Sequence, residues 1–207
     1  MRRFVIVGHK AVTTGDFKLD DMAGGAGRLD ILLRCINSAF FLSHKLRRDV
    51  EVFLIMQGPP NPPRTVRLVG NELKYLNPDE RSTGALVRNA LLQTGEGETR
   101  SSPGIYVSNR TFSDVVSELA KTSQLIYLKE DGNDVRERPF DKDVTFVLSD
   151  HSDLTGDEES QLLRHTPGVI CLGPISYHAD HCIIIMNNEL DRRCETGIGD
   201  MPESLSR

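Results

Sequence analysis

Residues able to do chemistry cluster toward the C-terminal end of this chain. Val169-Ile170-Cys171-Leu172-Gly173-Pro174 is followed by His178-Ala179-Asp180-His181-Cys182, and then by Asn187-Asn188-Glu189-Leu190-Asp191-Arg192. This pattern predicts a short apolar strand, a Gly-Pro bend and a helix with polar first turns. A ligand can sit against such a bend, because glycine admits a close backbone and proline holds the turn. At the other end of the chain, Phe4-Val5-Ile6-Val7 runs into Gly8-His9-Lys10, a buried strand whose carboxyl end turns polar. His9 there is expected to be a strand-end hydrogen-bonding residue rather than a base.

Two clusters carry metal-ligating residue types: His178, Asp180, His181 and Cys182, and separately Asp150, His151 and Asp153. Residues 178 and 182 share a helical face, as a transition-metal pair requires. No second pair at characteristic spacing accompanies them, so no metal is expected. Nor is there a GxGxxG opening a helix after the first strand, or a GxxxxGK[ST]; Gly24-Gly25-Ala26-Gly27 follows a long loop. Dinucleotide-binding and P-loop readings therefore have no support.

The elements that must position these residues alternate. Strands are expected at Arg3–Gly8, Val50–Met56, Gly104–Val107, Gln124–Leu128, Val144–Leu148 and Val169–Leu172. Helices are expected at Arg28–His44, near Ser82–Leu92, and at Phe112–Lys121, Asp157–His165 and Ala179–Asp191. The first helix shows Leu29, Leu32, Leu33, Ile36, Ala39 and Phe40 at i, i+3, i+4, i+7 spacing. Thr65–Val69 and Glu72–Leu76 around Gly70-Asn71 read as a hairpin. Thr94–Ser102 reads as a polar loop, and Glu130 to Asp134 as a turn. Alternation of this kind predicts an α/β fold with a mostly parallel sheet, whose ligands bind beyond the carboxyl ends of strands.

At 207 residues with 38% hydrophobic and 27% charged residues, the chain suits one packed domain. No apolar run approaches the ~18 residues of a membrane span, and no signal peptide is expected. The four cysteines lack CxxC spacing, which fits reduced thiols in a cytoplasmic protein. Net charge is -5, yet residues 1–110 hold 16 Lys and Arg against 11 Asp and Glu, while the remainder holds 9 against 19. A phosphate-bearing partner responds to such local positive charge rather than to the total.

Several segments, in order along the chain, together carry a family likeness. They are Phe4 to Ala11, Gly27-Arg28-Leu29-Asp30, Leu76 to Ser82, Ser102 to Val107, Tyr127 to Gly132, Phe146 to His151, Leu172-Gly173-Pro174, and His181 through Arg192. With them the chain resembles the archaeal tRNA pseudouridine-54 N1-methyltransferases, within the SPOUT class of knotted RNA methyltransferases. The resemblance implies a single SPOUT domain over 1–193 with a C-terminal trefoil knot, and a mobile tail over 194–207. It also implies a homodimer with its active site near the subunit interface, and the T-arm of tRNA as substrate. S-adenosylmethionine is the implied cofactor, held by Leu128, Ser149, Leu172, Gly173, Pro174, Ile175, Ser176, Tyr177 and Cys182. Ser149 stands where the family usually has glycine, and Cys171 where serine is common. Methylating a nitrogen needs no covalent adduct, so Cys182 is expected to pack beside the cofactor. Asp30 is the candidate contact to the base, with Arg28 neutralising a phosphate or a developing anion. Asp20 and Asp21 are rivals, and a plain helix-start charge pair is the structural alternative for Arg28 and Asp30. A ribosomal-RNA pseudouridine methyltransferase or a non-catalytic RNA-binding module would share these features.

Overall fold

The structure is a computed structural model describing residues 1–165 and 168–195, with side chains to 193. In chain order the elements are β1 (Arg2–Gly8), α1 (Leu29–Phe40), β2 (Val50–Met56), β3 (Arg64–Val69), α2 (Glu80–Leu91), β4 (Thr99–Ser102), β5 (Ile105–Ser108), α3 (Phe112–Leu119), β6 (Gln124–Asp134), β7 (Val144–Ser149), α4 (Gly156–Leu163), β8 (Val169–Cys171) and α5 (Ala179–Glu195). The tail expected over 194–207 lies, from residue 196 onward, outside the described residues.

One eight-stranded sheet runs in the order β4-β5-β3-β2-β1-β7-β6-β8. The five strands from β2 to β8 are parallel, and β3, β5 and β4 add an antiparallel wing. The fold is thus α/β with a mostly parallel sheet, as expected. Alternation along the central strands divides two cores. Phe4 and Ile6 of β1 face the layer of α1, α2 and α5; Val5 and Val7 face α3 and α4. Phe4 stacks on Phe146 of β7 with ring centres 5.6 Å apart.

Three local expectations fail. Thr65–Val69 does not form a hairpin with Glu72–Leu76: it pairs with β2 on one side and β5 on the other, leaving 72–76 as irregular chain. Thr99–Ser102 is not loop but an edge strand held by β5. Glu130 to Asp134 is not a free turn, because β6 continues through it and meets β8 twice. Tyr127 and Leu128 pair with Val169 and Ile170; Asn133 and Asp134 then pair with Ile170 and Cys171. At the crossing, a Cβ on Gly132 would fall 2.5–2.6 Å from the backbone N, Cα and C of Ile170. Glycine is required there by backbone approach rather than by a turn.

The helix expected to begin at Arg28 begins at Leu29, since Arg28 is left-handed at φ 66°, and it ends at Phe40 rather than His44. Asp191 closes the C-terminal layer: its carboxylate meets Arg2 at 2.6 Å and Arg47 at 2.5 Å, fastening α5 to the start of the sheet.

Candidate active site

Register brings three strand ends level. Gly8 of β1 pairs with Met56 of β2, and Val7 with Ser149 of β7, so His9, Gln57 and Asp150 emerge side by side. Asp150 turns back toward β1. One carboxylate oxygen accepts the His9 backbone N–H at 3.1 Å, and the other lies 3.3 Å from His9 Nδ1. Helix α4 adds Glu158, with Oε2 3.0 Å from His9 Nε2 and Oε1 accepting from the Gln57 amide at 2.7 Å. Glu158 is aimed by a capping box with Thr155, the helix N-cap. The hydrogen bond to Asp150 is the largest influence on His9; burial opposes it, Glu158 adds to it, and the imidazole is pushed up to about 9.

A second layer rests on these ends. The Lys10-Ala11 backbone is squeezed between Gly27 and Gly58: a Cβ on either glycine would come within 1.8 and 2.3 Å of the Lys10 carbonyl oxygen. Gly27 at φ 64° is followed by Arg28 at φ 66°, and Tyr75 is the other described non-glycine residue of positive φ. Strain of this kind collects where geometry serves function. Arg28 grips Asp30 with two bonds, Nε to Oδ1 at 3.0 Å and Nη2 to Oδ2 at 3.2 Å, and Arg34 adds a third at 2.9 Å. Burial favours the protonated form of Asp30, but the two guanidiniums outweigh it and hold the carboxyl below its usual range. Its oxygens are engaged, whereas the Arg28 side chain is 41% exposed. Of the rivals, Asp21 shapes its own turn by accepting the Gly24 N–H at 3.2 Å, and Asp20 is exposed.

The third layer is the loop between β8 and α5. Gly173 sits at φ 141°, and a Cβ there would touch only the Tyr177 ring, 3.8 Å away. Ser176 donates its hydroxyl to Glu130 of β6. The Cys182 thiol lies 3.7 Å from the Tyr177 carbonyl, and burial, helped by Asp180, pushes it up to about 11. A thiol so protonated is no nucleophile near neutral pH. Leu128 and Leu172 pack half-buried on the core, while Pro174, Ile175 and Tyr177 are exposed. Ser149 and Leu172 through Tyr177 therefore stand at the carboxyl ends of β7 and β8, Leu128 lies within β6 where its first run of pairing with β8 ends, and Cys182 is in the opening turns of α5. Arg28 and Asp30 follow Gly27, which packs on the Lys10 carbonyl beyond the end of β1, and the Asp150 charge reaches Arg28 from a distance. Among the described residues no three ligating side chains gather to hold a metal; His178 and His181 meet edge to face instead.

The His9–Asp150–Glu158 cluster was not foreseen as a unit. Thr155-x-x-Glu158 is legible as a capping box, but nothing in the order of residues links position 9 to position 158.

A family model described as "Putative SAM-dependent RNA methyltransferase" matches residues 1–194. A protein of Methanocella arvoryzae named tRNA (pseudouridine(54)-N(1))-methyltransferase is 50% identical over 93% of this chain and 100% of its own length. One of the same name from Methanococcoides burtonii is 50% identical over 93% of this chain and 96% of its own. Among solved structures, Archaeoglobus fulgidus Nep1 bound to S-adenosylhomocysteine superposes with a TM-score of 0.59 at 14% identity, covering 96% of this chain and 98% of that one. That likeness concerns the fold. The match across nearly the whole sequence, with relatives aligned over nearly all of their own length, makes this chain a member of the family of S-adenosylmethionine-dependent RNA methyltransferases.

Proposed function

We propose that this protein transfers the methyl group of S-adenosylmethionine to N1 of pseudouridine 54 in the T-arm of tRNA. The observation that carries this reading is the full-length, 50% identity with relatives of that name. We further read the unit as a cytoplasmic homodimer whose C-terminal elements close a trefoil knot. Gly132 crossing the backbone of Ile170 supports the knot, and the exposed Ile175, Tyr177 and Ile184 support a covering partner. No described helix is long and apolar enough to cross a membrane.

The open space at Gly173, with apolar Leu172 and Ile175 in the same loop and Leu128 on the strand beside Ile170, suits an adenine face, so the residues present fit the cofactor. Backbone groups of 172–177 would hydrogen-bond the base edge, with Ser149 and Cys182 bordering it. When bound, the cofactor supplies an electrophilic methyl. The chain contributes position and charge. N1 of pseudouridine is imide-like and must lose its proton, in this reading to water, before it can accept a methyl. Asp30 is ill-suited to take that proton, because two arginines occupy it and lower its pKa. Its role in this reading is to hold Arg28, whose half-exposed guanidinium stabilises the N1 anion or an adjacent phosphate.

The test is transfer of labelled methyl from S-adenosylmethionine to two T-arm RNAs that differ only in uridine or pseudouridine at the target. Incorporation into the pseudouridine RNA alone is expected. Incorporation into neither, with cofactor bound, would assign a different RNA; absence of cofactor binding would assign a non-catalytic module.

A further inference from the structure

The carboxylates of Asp150 and Glu158 are nearly sealed from solvent, with side chains 0% and 9% exposed, and both face the ring of His9, itself 15% exposed. A neutral imidazole has one donor and one acceptor nitrogen. It would turn a lone pair toward one of the two carboxylates. Donation from both Nδ1 and Nε2, at 3.3 and 3.0 Å, requires the cation. We propose that His9, as an imidazolium between Asp150 and Glu158, is a positioning residue that fixes the β7–α4 loop, and with it Ser149, over the ends of β1 and β2. The inference rests on the cofactor reading above, in which Ser149 borders the site.

The other charges facing this cluster leave His9 as its central cation. From the β7–α4 loop, His151 Nδ1 lies 3.2 Å from Asp150 at the surface, and Ser152 donates its N–H to Asp150 at 3.2 Å. From α4, Glu158 also accepts the Thr155 N–H and hydroxyl at 2.8 and 2.9 Å, while Glu159 is engaged by Lys129 at 2.7 Å and Asp157 is exposed. From β2 comes only the neutral Gln57. Beside β1, Lys10 is exposed, and Arg28 acts on Asp150 from a distance while bonded to Asp30. Deprotonating His9 would leave one of the two buried carboxylates facing the ring's lone pair with its charge uncompensated, and the β7–α4 loop would shift to hydrate it.

The experiment has two independent readouts. NMR titration of the His9 ring, with hydrogen exchange of amides 149–155, tests the clamp itself. The ring should titrate near 9 and amide protection should fall through the same range. A midpoint near the ordinary histidine value, or protection that ignores the ring, overturns the proposal. Calorimetry with S-adenosylhomocysteine then compares the parent protein with His9→Gln, which is neutral and has a single donor nitrogen. The variant should bind roughly tenfold more weakly at pH 7, and the gap should close by pH 10, where the parent has lost its cation. Taking the ratio removes the ligand's own titration. Equal affinities at pH 7, or a gap indifferent to pH, refute the positioning role. Failure of the parent to bind at all refutes the cofactor reading, with the clamp still judged by NMR.

Discussion

Arg28→Gly separates function from stability at the most strained point of the site. Arg28 occupies the left-handed region at φ 66°, ψ 30°, one residue before α1. That conformation costs an L-residue roughly 1–2 kcal/mol, which glycine avoids. Against this gain, glycine's freedom in the unfolded chain costs roughly 0.5–1 kcal/mol. The lost ion pair with Asp30 involves a side chain 41% exposed and amounts to roughly 0.2–1 kcal/mol. Asp30 keeps Arg34 at 2.9 Å, so no buried charge is orphaned. The contributions cancel to within about 1 kcal/mol, equivalent to a melting shift of about 2–4 °C. Catalysis has no such compensation: removing a donor aimed at developing negative charge costs roughly 10²–10³ in rate. Thermal melting and methyl transfer on one preparation, with S-adenosylhomocysteine affinity as control, measure both sides. Near-parent transfer, or a loss of stability well beyond about 1 kcal/mol, would show that Arg28 is a structural charge pair and refute the reasoning.

Gly173→Val should abolish S-adenosylhomocysteine binding, since the side chain enters otherwise open space beside Tyr177, and should lower stability by roughly 1–3 kcal/mol because φ 141° strains a β-branched residue; calorimetry showing parent affinity would remove 172–177 from the cofactor site. Gly132→Ala drives a methyl into the Ile170 backbone and should cost about 3 kcal/mol, read as a melting drop of roughly 10 °C; a stable variant would mean that β6 does not pin β8. Acid should destabilise the fold through Asp30, Asp150, Glu158 and Asp191, all held below their usual pKa by hydrogen bonds and charge that outweigh burial. Their contribution is present above the ordinary carboxylate range and lost as pH falls through the depressed values, whereas that of His9 is full below 6.5 and lost as pH rises through about 9. Melting temperature should therefore fall on both flanks; a profile flat from pH 3 to 10 would contradict both signs.

What the sequence made legible follows from where each constraint is stored. Phe4 to Val7 and Val52 to Met56 are continuous apolar runs, and a strand covered on both faces needs no further signal. Thr99–Ser102 has no apolar face and is a strand only because β5 offers it a ladder. Gly132 looked like a turn residue because glycine's two uses, φ freedom and close approach, leave the same letter. The candidate cofactor segment, Leu172 to Tyr177, is contiguous, so no tertiary pairing is needed to assemble it between β8 and α5. His9 and Glu158 meet only through register and a crossover, so their pairing could not be read from either neighbourhood.

The position of β1 also governs how the chain is made. Strand β1 precedes the other strands of this sheet in the chain and ends between β2 and β7, so one edge of it has no partner until residues 144–149 appear. At roughly 5–20 residues per second, that edge stays open for roughly ten seconds after β2 has joined it. The nascent half-sheet is an apolar template for pairing with other chains. Arg2, also in β1, waits longer still for Asp191. A protein wired in this way carries a half-paired first strand through much of its synthesis, and its yield in the cell should depend on what shelters that edge in the interval.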